Sequence, residues 1–260
     1  MQDTANAGFI RCMKKAMTHL FRILLPLAAL LVAGCSKMAP DMKDYERSDE
    51  SPDQGKGDYV DQEDLLAVAT LHIQEGIRYL RLDSRSVGYI VNQDDVADIP
   101  DKTRVFVQYK TVQSDRPDFC TESIWVDWAT FLDVGSISVL SFEESYSDQS
   151  FRSSAPVDII LDWITSLEDG FLTLHYMIPA SGDNKHTFTL YRSWEGNGCH
   201  FYLVHEAQGD TEGSMTDGIV CFPVESLLPD TGEETVTLSL TYLNLKNTPT
   251  TLTVDYRTPK

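Results

Sequence analysis

After Leu65 the chain is a succession of short segments rich in Val, Ile, Thr, Tyr and Phe, separated by clusters of Gly, Asp, Asn and Pro. This pattern predicts an all-β protein, because a strand presents successive side chains to opposite faces and ends where turn residues interrupt it. The alternation is clearest at residues 235–242, where Val, Leu, Leu and Tyr share one face and Thr or Ser the other. We find no heptads and no internal repeat that would favour another fold class.

The predicted strands form two groups, which indicates two domains. Five strands within roughly seventy residues favour a small barrel over residues 65–140, and seven in the next hundred favour a β-sandwich over residues 141–260. The strands are predicted at residues 66–74, 77–83, 87–92, 104–111 and 123–127, and then at 157–164, 171–178, 186–194, 199–205, 218–222, 235–243 and 251–256. Residues 129–139 fit either a short helix or a joining strand. Residues 142–154 are polar and are predicted to be a long loop.

Residues 1–34 have the layout of a secretory signal peptide. An apolar run at residues 23–32 follows the basic residues Arg11, Lys14, Lys15 and Arg22. The run is shorter than the about 20 apolar residues that a spanning helix needs, so we expect cleavage. Both Met1 and Met13 are candidate starts.

The end of this segment, Val32-Ala33-Gly34-Cys35, resembles the bacterial lipobox, in which the cysteine takes a diacylglycerol and becomes the first mature residue. We therefore expect Cys35 to be lipidated and to tether the protein to a membrane. Residues 35–64 are acidic with little apolar periodicity, which is typical of a disordered tether. The sequence thus predicts an exported, lipid-anchored protein of the outer membrane, with the periplasmic side and the cell surface both open.

The charge of the chain disfavours several partners. Lys plus Arg number 21 against 40 Asp plus Glu, which gives a net charge of -19. Such a chain repels polyphosphate and anionic lipid, so we expect no nucleic-acid partner. The acyl chains on Cys35 would therefore have to hold the membrane by themselves.

The sequence contains none of the common catalytic motifs that would identify a reaction. The chain has no Gly-x-Ser-x-Gly elbow, no His-Glu-x-x-His helix, no P-loop and no dinucleotide fingerprint. Glu143 and Glu144 are adjacent in a polar segment with nothing apolar to raise a pKa. We predict no catalytic residue, no cofactor and no enzyme activity, although a hydrolase with a dispersed site stays an alternative.

Histidines and acidic residues of the second domain are the candidate metal ligands. His175, His186, His200 and His205 crowd this domain, but without the tight spacing of a zinc site. Residues 210–218 supply oxygen ligands without the spacing of a calcium loop, so a polar hairpin loop is the favoured interpretation. We predict no metal site.

Three cysteines remain once Cys12 is removed with the signal and Cys35 is lipidated. They are Cys120, Cys199 and Cys221. If the last two lay on one hairpin folding about Asp210, they would face each other and could form a disulfide. Burial as free thiols is the other interpretation.

The tryptophans could form a platform for sugars, because flat apolar rings stack on pyranose faces. They are Trp125, Trp128, Trp163 and Trp194, accompanied by eleven Tyr and eleven Phe. Packing in the core is the favoured interpretation for most of these aromatic residues.

The chain resembles the NigD-like lipoproteins of Bacteroidetes. The motifs that carry the resemblance, besides the lipobox and acidic tether, are TRVFVQY at residues 103–109, APVDII at 155–160, FLTLHY at 171–176, HTFTL at 186–190 and LVHEAQGD at 203–210. The chain departs from the family where Asp83-Ser84-Arg85 stands in place of Asp-Asp-Gly.

The resemblance implies an OB-like amino-terminal barrel and a carboxy-terminal β-sandwich, with no catalytic residues to carry over. The family takes its name from a proposed link to bacteriocin immunity. We therefore expect a non-enzymatic binding module for an unknown protein or glycan partner, with bacteriocin immunity as the alternative. The oligomeric state is left open.

Overall fold

The computed structural model describes residues 63–145, 151, 154–182, 185–193, 199–228, 231 and 234–256. These residues belong to one unit, Glu63–Lys260. The predicted signal peptide, Cys35 and the predicted tether up to residue 62 lie outside the described residues, as does Trp194. In the described ranges no helix has both the length and the apolar character needed to cross a membrane.

The first five strands close into a barrel. They are β1 (Leu65–Gln74), β2 (Ile77–Leu82), β3 (Val87–Ile90), β4 (Thr103–Val112) and β5 (Glu122–Phe131), with a 3-10 turn at Gln93–Val96. Their order around the barrel is β1-β2-β3-β5-β4; β1 pairs with β4, and β3 runs parallel to β5. The predicted five-stranded, OB-like barrel is confirmed.

Alternation along the strands fills the barrel interior. Ala69, Leu71 and Val105 are completely buried in its core. Their neighbours that face outward on β1 and β4, such as Val68 and Phe106, are almost as buried. A second layer of structure must therefore cover this side of the barrel.

That second layer is a sandwich of two sheets. Its strands are β6 (Asp133–Val134), β7 (Ser136–Ile137), β8 (Asp158–Ile160), β9 (Ser166–Glu168), β10 (Phe171–Ala180), β11 (Thr187–Arg192), β12 (His200–Glu206), β13 (Ser214–Pro223), β14 (Val236–Leu243) and β15 (Pro249–Tyr256). One sheet has the order β6-β13-β10-β8, with β9 also paired to β10, and the other has the order β15-β14-β12-β11-β7. The predicted β-sandwich is confirmed.

The sandwich core lies between these two sheets. Leu172 and Leu174 of β10 face Phe201 of β12 and Leu240 of β14 across it, and all four are completely buried. Burial of each such side chain is worth about 1.5–3 kcal/mol. The 3-10 turn Glu225–Leu227 lies between β13 and β14.

The segment between the two domains is extended, so the helix considered for residues 129–139 is wrong. Strands β6 and β7, which lie inside the range 65–140, pair with the sandwich strands β13 and β11. Gly135 between them lies so close to the Phe222 ring that an added Cβ would be 2.2 Å from it. The chain can enter both sheets here only because this residue has no side chain.

Part of the predicted polar loop is a helical turn, Phe142–Ser145. Ser141 Oγ accepts a hydrogen bond from the Glu144 backbone N–H at 3.2 Å, and Glu144 Oε2 accepts one from the Ser141 N–H at 2.9 Å. This is a capping box, and its Ser-x-x-Glu signal stands in the sequence. The hydrogen bonds from Ser141 hold the pKa of Glu144 below its ordinary value.

The structure overturns the hairpin about Asp210. Strand β12 pairs with β11 and β14, whereas β13 pairs with β10 and β6, so the two strands lie in different sheets. Cys199 and Cys221 are consequently not cross-strand neighbours, and they are buried as free thiols, as is Cys120. The predicted polar hairpin loop is instead a crossing between sheets.

Candidate functional site

Strands β4 and β5 carry aromatic side chains on the outer surface of the barrel. In the strand register Trp125 pairs with Lys110 and Trp128 pairs with Gln108. Trp125 is 44% exposed, and Trp128 is half-buried. Core packing is therefore the wrong interpretation for Trp125.

A β-bulge places these two tryptophans on the same face. Residues 125 and 128 are an odd number apart, so a regular strand would turn their side chains to opposite sides. The register shifts between Gln108 and Tyr109 and leaves Asp127 as an extra residue on β5. Such a bulge re-aims the following side chains, so both tryptophans point outward while Val126 stays in the core.

A third tryptophan reaches this surface from the sandwich. Trp163, between β8 and β9, is 54% exposed and stacks on Phe106 with ring centroids 5.9 Å apart. Phe106 also packs against Trp128, with centroids 5.8 Å apart. We call Trp125, Trp128 and Trp163, with Phe106 beneath them, the tryptophan face.

Polar side chains accompany the tryptophan face. Trp128 Nε1 donates a hydrogen bond to Gln108 Oε1 at 2.5 Å, and Gln108 Nε2 donates one to Asp64 Oδ2 at 2.8 Å. Lys110 Nζ lies 3.0 Å from Asp64 Oδ1 and 3.5 Å from Asp127 Oδ2. The hydrogen bond to Asp64 and the charge of Asp127 raise the pKa of Lys110. The rings thus stand beside amide, ammonium and carboxylate groups.

The loop that carries Trp163 is held by its neighbours. Asp162 Oδ1 accepts a hydrogen bond from the Ile164 backbone N–H at 3.0 Å, which is an Asx turn. Asp162 Oδ2 lies 2.7 Å from Nδ1 of the buried His175, whose Nε2 lies 3.4 Å from Asp217 Oδ2. Both ring nitrogens of His175 therefore face carboxylates, and the imidazole braces the loop.

A second histidine cluster lies in the sandwich. His205 Nδ1 lies 3.1 Å from the Pro156 carbonyl oxygen and must donate to it. In the neutral His205 ring, Nε2 then accepts from His186 Nδ1 at 2.8 Å. Burial lowers the pKa of His205 to about 4. His186 Nε2 faces Asp210 Oδ2 at 3.5 Å. The backbone N–H of Ser181 donates to Asp210 and holds the pKa of that carboxyl below its ordinary value.

These clusters do not form a metal centre or a nucleophile–base pair. Among the described residues no group of three or more His, Cys, Asp or Glu side chains is arranged to hold a metal ion. Both ring nitrogens of His175 face carboxylates, and those of His205 face a carbonyl oxygen and the His186 ring. His186 Nε2 and Asp210 Oδ2 lie 3.5 Å apart, and among the described residues both are buried without a hydrogen-bond partner. In the part of the chain that the structure describes, none of these three rings bonds to a hydroxyl or thiol that it could activate. The fourth histidine differs: His200 Nε2 lies 2.9 Å from Thr241 Oγ1, a hydroxyl that also bonds to Thr251 Oγ1 at 2.7 Å.

Charged contacts fix the sandwich against the barrel. The completely buried Arg104 side chain pairs with Asp83 and donates to Thr70 of the barrel and to Thr173 of the sandwich, at 3.1 Å each. Asp169, at the turn between β9 and β10, lies 2.5 Å from His72 Nε2 and 2.9 Å from Arg81. Although burial alone would raise it, these partners hold the pKa of Asp169 below its ordinary value.

The fold defines a class of protein: an OB-like barrel joined by buried polar contacts to a β-sandwich. Residues 138–256 match the NigD-like C-terminal beta sandwich domain. The predicted resemblance to the NigD-like family is thereby confirmed for the sandwich. No curated protein matches the sequence.

Solved structures share this two-part fold. A candidate toxin-related protein from Parabacteroides distasonis matches with a TM-score of 0.62 at 23% identity, over 75% of this chain and 94% of its own. A NigD-like immunity protein from Bacteroides caccae matches with a TM-score of 0.51 at 17% identity, over 77% and 99%. A candidate lipoprotein from Bacteroides fragilis matches with a TM-score of 0.54 at 11% identity, over 76% and 100%. At these identities the likeness shows the fold alone.

The tryptophans were candidate sugar-binding residues in the sequence, but the contacts that bring them together could not be predicted from it. Phe106, Gln108 and the bulge at Asp127 connect Trp128 to Trp163 and Trp125, and no local pattern signals a bulge. The predicted lipidation site, Cys35, lies outside the described residues.

Proposed function

We propose that this NigD-like protein is a lipid-anchored protein of the cell envelope that binds a protein or glycan partner without catalysing a reaction. The observation that carries the proposal is the exposure of Trp125 on β5 and of Trp163, which stacks on Phe106 of the paired strand β4. Groups of exposed aromatic side chains are typical of binding surfaces, because leaving so much apolar area in water is unfavourable unless a ligand covers it. The tryptophan face is the proposed contact surface.

The proposed anchor is Cys35. The lipobox Val32-Ala33-Gly34-Cys35 supports it, and so does the description of the Bacteroides fragilis neighbour as a candidate lipoprotein. Acyl chains supply about 0.8 kcal/mol for each buried methylene, and more than one chain is needed for stable attachment. Anchoring in the outer membrane is part of the proposal.

The hydrogen bonds of two histidines support a binding role over an enzymatic one. Both ring nitrogens of His175 and both of His205 contact structural partners. A hydrolase with a dispersed site would need one such nitrogen beside a nucleophile. Among binding partners, the net charge of -19 disfavours nucleic acid.

The experiment that tests this proposal has two parts in the native host. Cells are fed labelled palmitate, and the wild type should carry the label in the membrane fraction whereas Cys35→Ala should not. Photo-crosslinkers placed at Thr130 of β5 and at Leu245 should then capture a partner only from Thr130, which lies in register with Phe106. An unlabelled wild-type protein in the cytosol refutes the anchor, and equal capture from both positions refutes the surface.

A second candidate function is bacteriocin immunity. It is favoured by one observation, the structural match to a NigD-like immunity protein from Bacteroides caccae. An immunity lipoprotein would intercept the toxin at the envelope. Deletion of the gene should then increase sensitivity to the cognate bacteriocin, and unchanged sensitivity would remove this candidate.

A further inference from the structure

We infer that the tryptophan face binds a chain of neutral pyranose sugars. This inference rests on the proposed function and names the class of its ligand. It is carried by the arrangement of rings and polar groups on the outer surface of β4, β5 and the Trp163 loop.

The rings follow a row of outward-facing positions on β4 and β5. Along these paired strands the positions carry Phe106, then Trp128, then Trp125. Trp163 and Trp128 each contact Phe106, at centroid distances of 5.9 and 5.8 Å. A row of three rings presents successive apolar platforms, whereas one sugar ring would need only one. The arrangement therefore fits an extended chain better than a monosaccharide.

Hydrogen-bonding groups stand where sugar hydroxyls would need them. Gln108, Lys110, Asp64 and Asp127 lie beside the rings and bond to one another at 2.8 to 3.5 Å. The Lys110 and Asp64 side chains are 38% and 51% exposed, so a hydroxyl can reach them from solvent. Hydroxyls both donate and accept, so a sugar can join this network without leaving a charge unpaired.

Charge excludes the anionic alternatives. Lys110 is the cation of this network, and two carboxylates already contact it. An anionic polysaccharide or a phosphate headgroup would meet these carboxylates and a net charge of -19. A neutral polysaccharide is not repelled by these charges.

Protein partners fit this surface less well. The centre of a protein interface is depleted in Lys and Asp, and its aromatic anchors are fully desolvated. Here Lys110 pairs in register with Trp125 and Asp127 lies between the two tryptophans of β5, so ionic groups interrupt the row. Sugar recognition needs this mixture of ring faces and polar groups.

Two of the three tryptophans are supported by contacts within the protein before a ligand binds. Gln108 holds the Trp128 indole, Phe106 supports Trp128 and Trp163, and His175 braces the loop through Asp162. A preformed site loses little side-chain freedom when its ligand binds.

Native electrophoresis through gels that contain a dissolved polysaccharide tests the inference. The full chain is used in a detergent without a sugar headgroup, and the gels contain neutral glucans, mannans or xylans, or the anionic polygalacturonate. We expect retardation by at least one neutral polysaccharide and none by polygalacturonate. Trp163→Ala and Trp125→Ala should weaken retardation more than about tenfold. Trp163→Phe, which keeps a ring, should retain most of it.

Two controls separate binding from folding. Leu245→Ala removes an exposed apolar side chain from the β14–β15 turn and should bind as the wild type does. Thermal unfolding of each variant shows whether it is folded. If Trp163→Ala is unfolded, Trp163→Gln is measured in its place.

The outcomes distinguish this inference from the proposed function. The glycan inference is overturned if no neutral polysaccharide retards the protein or if polygalacturonate retards it more strongly. It is also overturned if the folded Trp163→Ala variant is retarded as much as the wild type. If binding in gels fails while the crosslinker at Thr130 still captures a defined protein, only the ligand class is wrong. If both fail, the tryptophan face is not a binding surface and the proposed function falls with it.

Discussion

His186 Nδ1 lies 2.8 Å from Nε2 of His205, and the two imidazole rings stack with centroids 5.1 Å apart. Burial lowers the pKa of His205 to about 4, so the ring is neutral near pH 7; with its Nδ1 proton donated to the Pro156 carbonyl, its Nε2 is the acceptor. A proton added to its Nε2 would remove the acceptor that His186 uses. The pair therefore links the stability of the sandwich to pH.

Acid should destabilise the protein through His205. Its pKa is about 4 in the folded protein against 6.5 for an ordinary histidine, so the unfolded chain binds the extra proton first. Stability should fall as the pH drops from about 6.5 to about 4, by about 3 kcal/mol, and the contribution should level off below that. Urea denaturation at a series of pH values measures this dependence.

A His205→Gln variant should show a flatter dependence over the same pH range, because it has no proton to bind. Val204→Ala removes buried apolar volume next to it and should lower stability while keeping the wild-type slope. An unchanged slope in His205→Gln would contradict the assignment.

The buried pair of Arg104 and Asp83 should be costly to break. Arg104→Met should destabilise the protein by about 3–5 kcal/mol, because it leaves Asp83 without its cation. Arg104→Met combined with Asp83→Leu should recover much of this loss. The free energy of unfolding from urea titrations measures both.

The control for this pair is the exposed contact between Arg85 and Glu168, at 3.6 Å. Because Arg85 is 75% exposed, Arg85→Met should change stability by less than about 0.5 kcal/mol. Equal losses of stability in Arg104→Met and Arg85→Met would show that the buried contacts of Arg104 stabilise the protein no more than an exposed ion pair does.

Gly170 and Gly76 form a matched pair for testing the turn that carries Asp169. Their φ angles are +79° and +81°, so alanine should cost about 1–2 kcal/mol of backbone strain at either position. A Cβ at Gly170 would also lie 2.9 Å from Glu225 Cβ, whereas none lies within 4 Å at Gly76. Gly170→Ala should therefore be the more destabilising in thermal unfolding, and the reverse order would contradict the turn geometry.

The three buried thiols should resist alkylation in the folded protein. Burial raises the pKa of Cys221 to about 11 and also raises that of Cys120, so little reactive thiolate forms near pH 8. Peptide mapping by mass spectrometry should find Cys120, Cys199 and Cys221 alkylated only after denaturation. A reductant-dependent pair of Cys199 and Cys221 peptides would contradict the two-sheet arrangement.

Sequence patterns predicted the elements well where a strand depends on its own alternation. Strand β14 was expected at residues 235–243 and lies at Val236–Leu243, and β1 was expected at 66–74 and lies at Leu65–Gln74. The two-residue strands β6 and β7 could not be predicted, because they are held by pairing with β13 and β11, far along the chain. Pairing partners also decided that Cys199 and Cys221 are apart.

By itself the sequence determined the all-β class and the two groups of strands, and it predicts the export signal, since these depend on local alternation and composition. Only the tertiary structure decided which outward-facing residues are covered. Phe106 and Trp125 both face outward from the barrel, yet one is 4% exposed and the other 44%. The difference arises because the sandwich covers the first and leaves the second in water, and such contacts between residues distant in sequence leave no periodic signal.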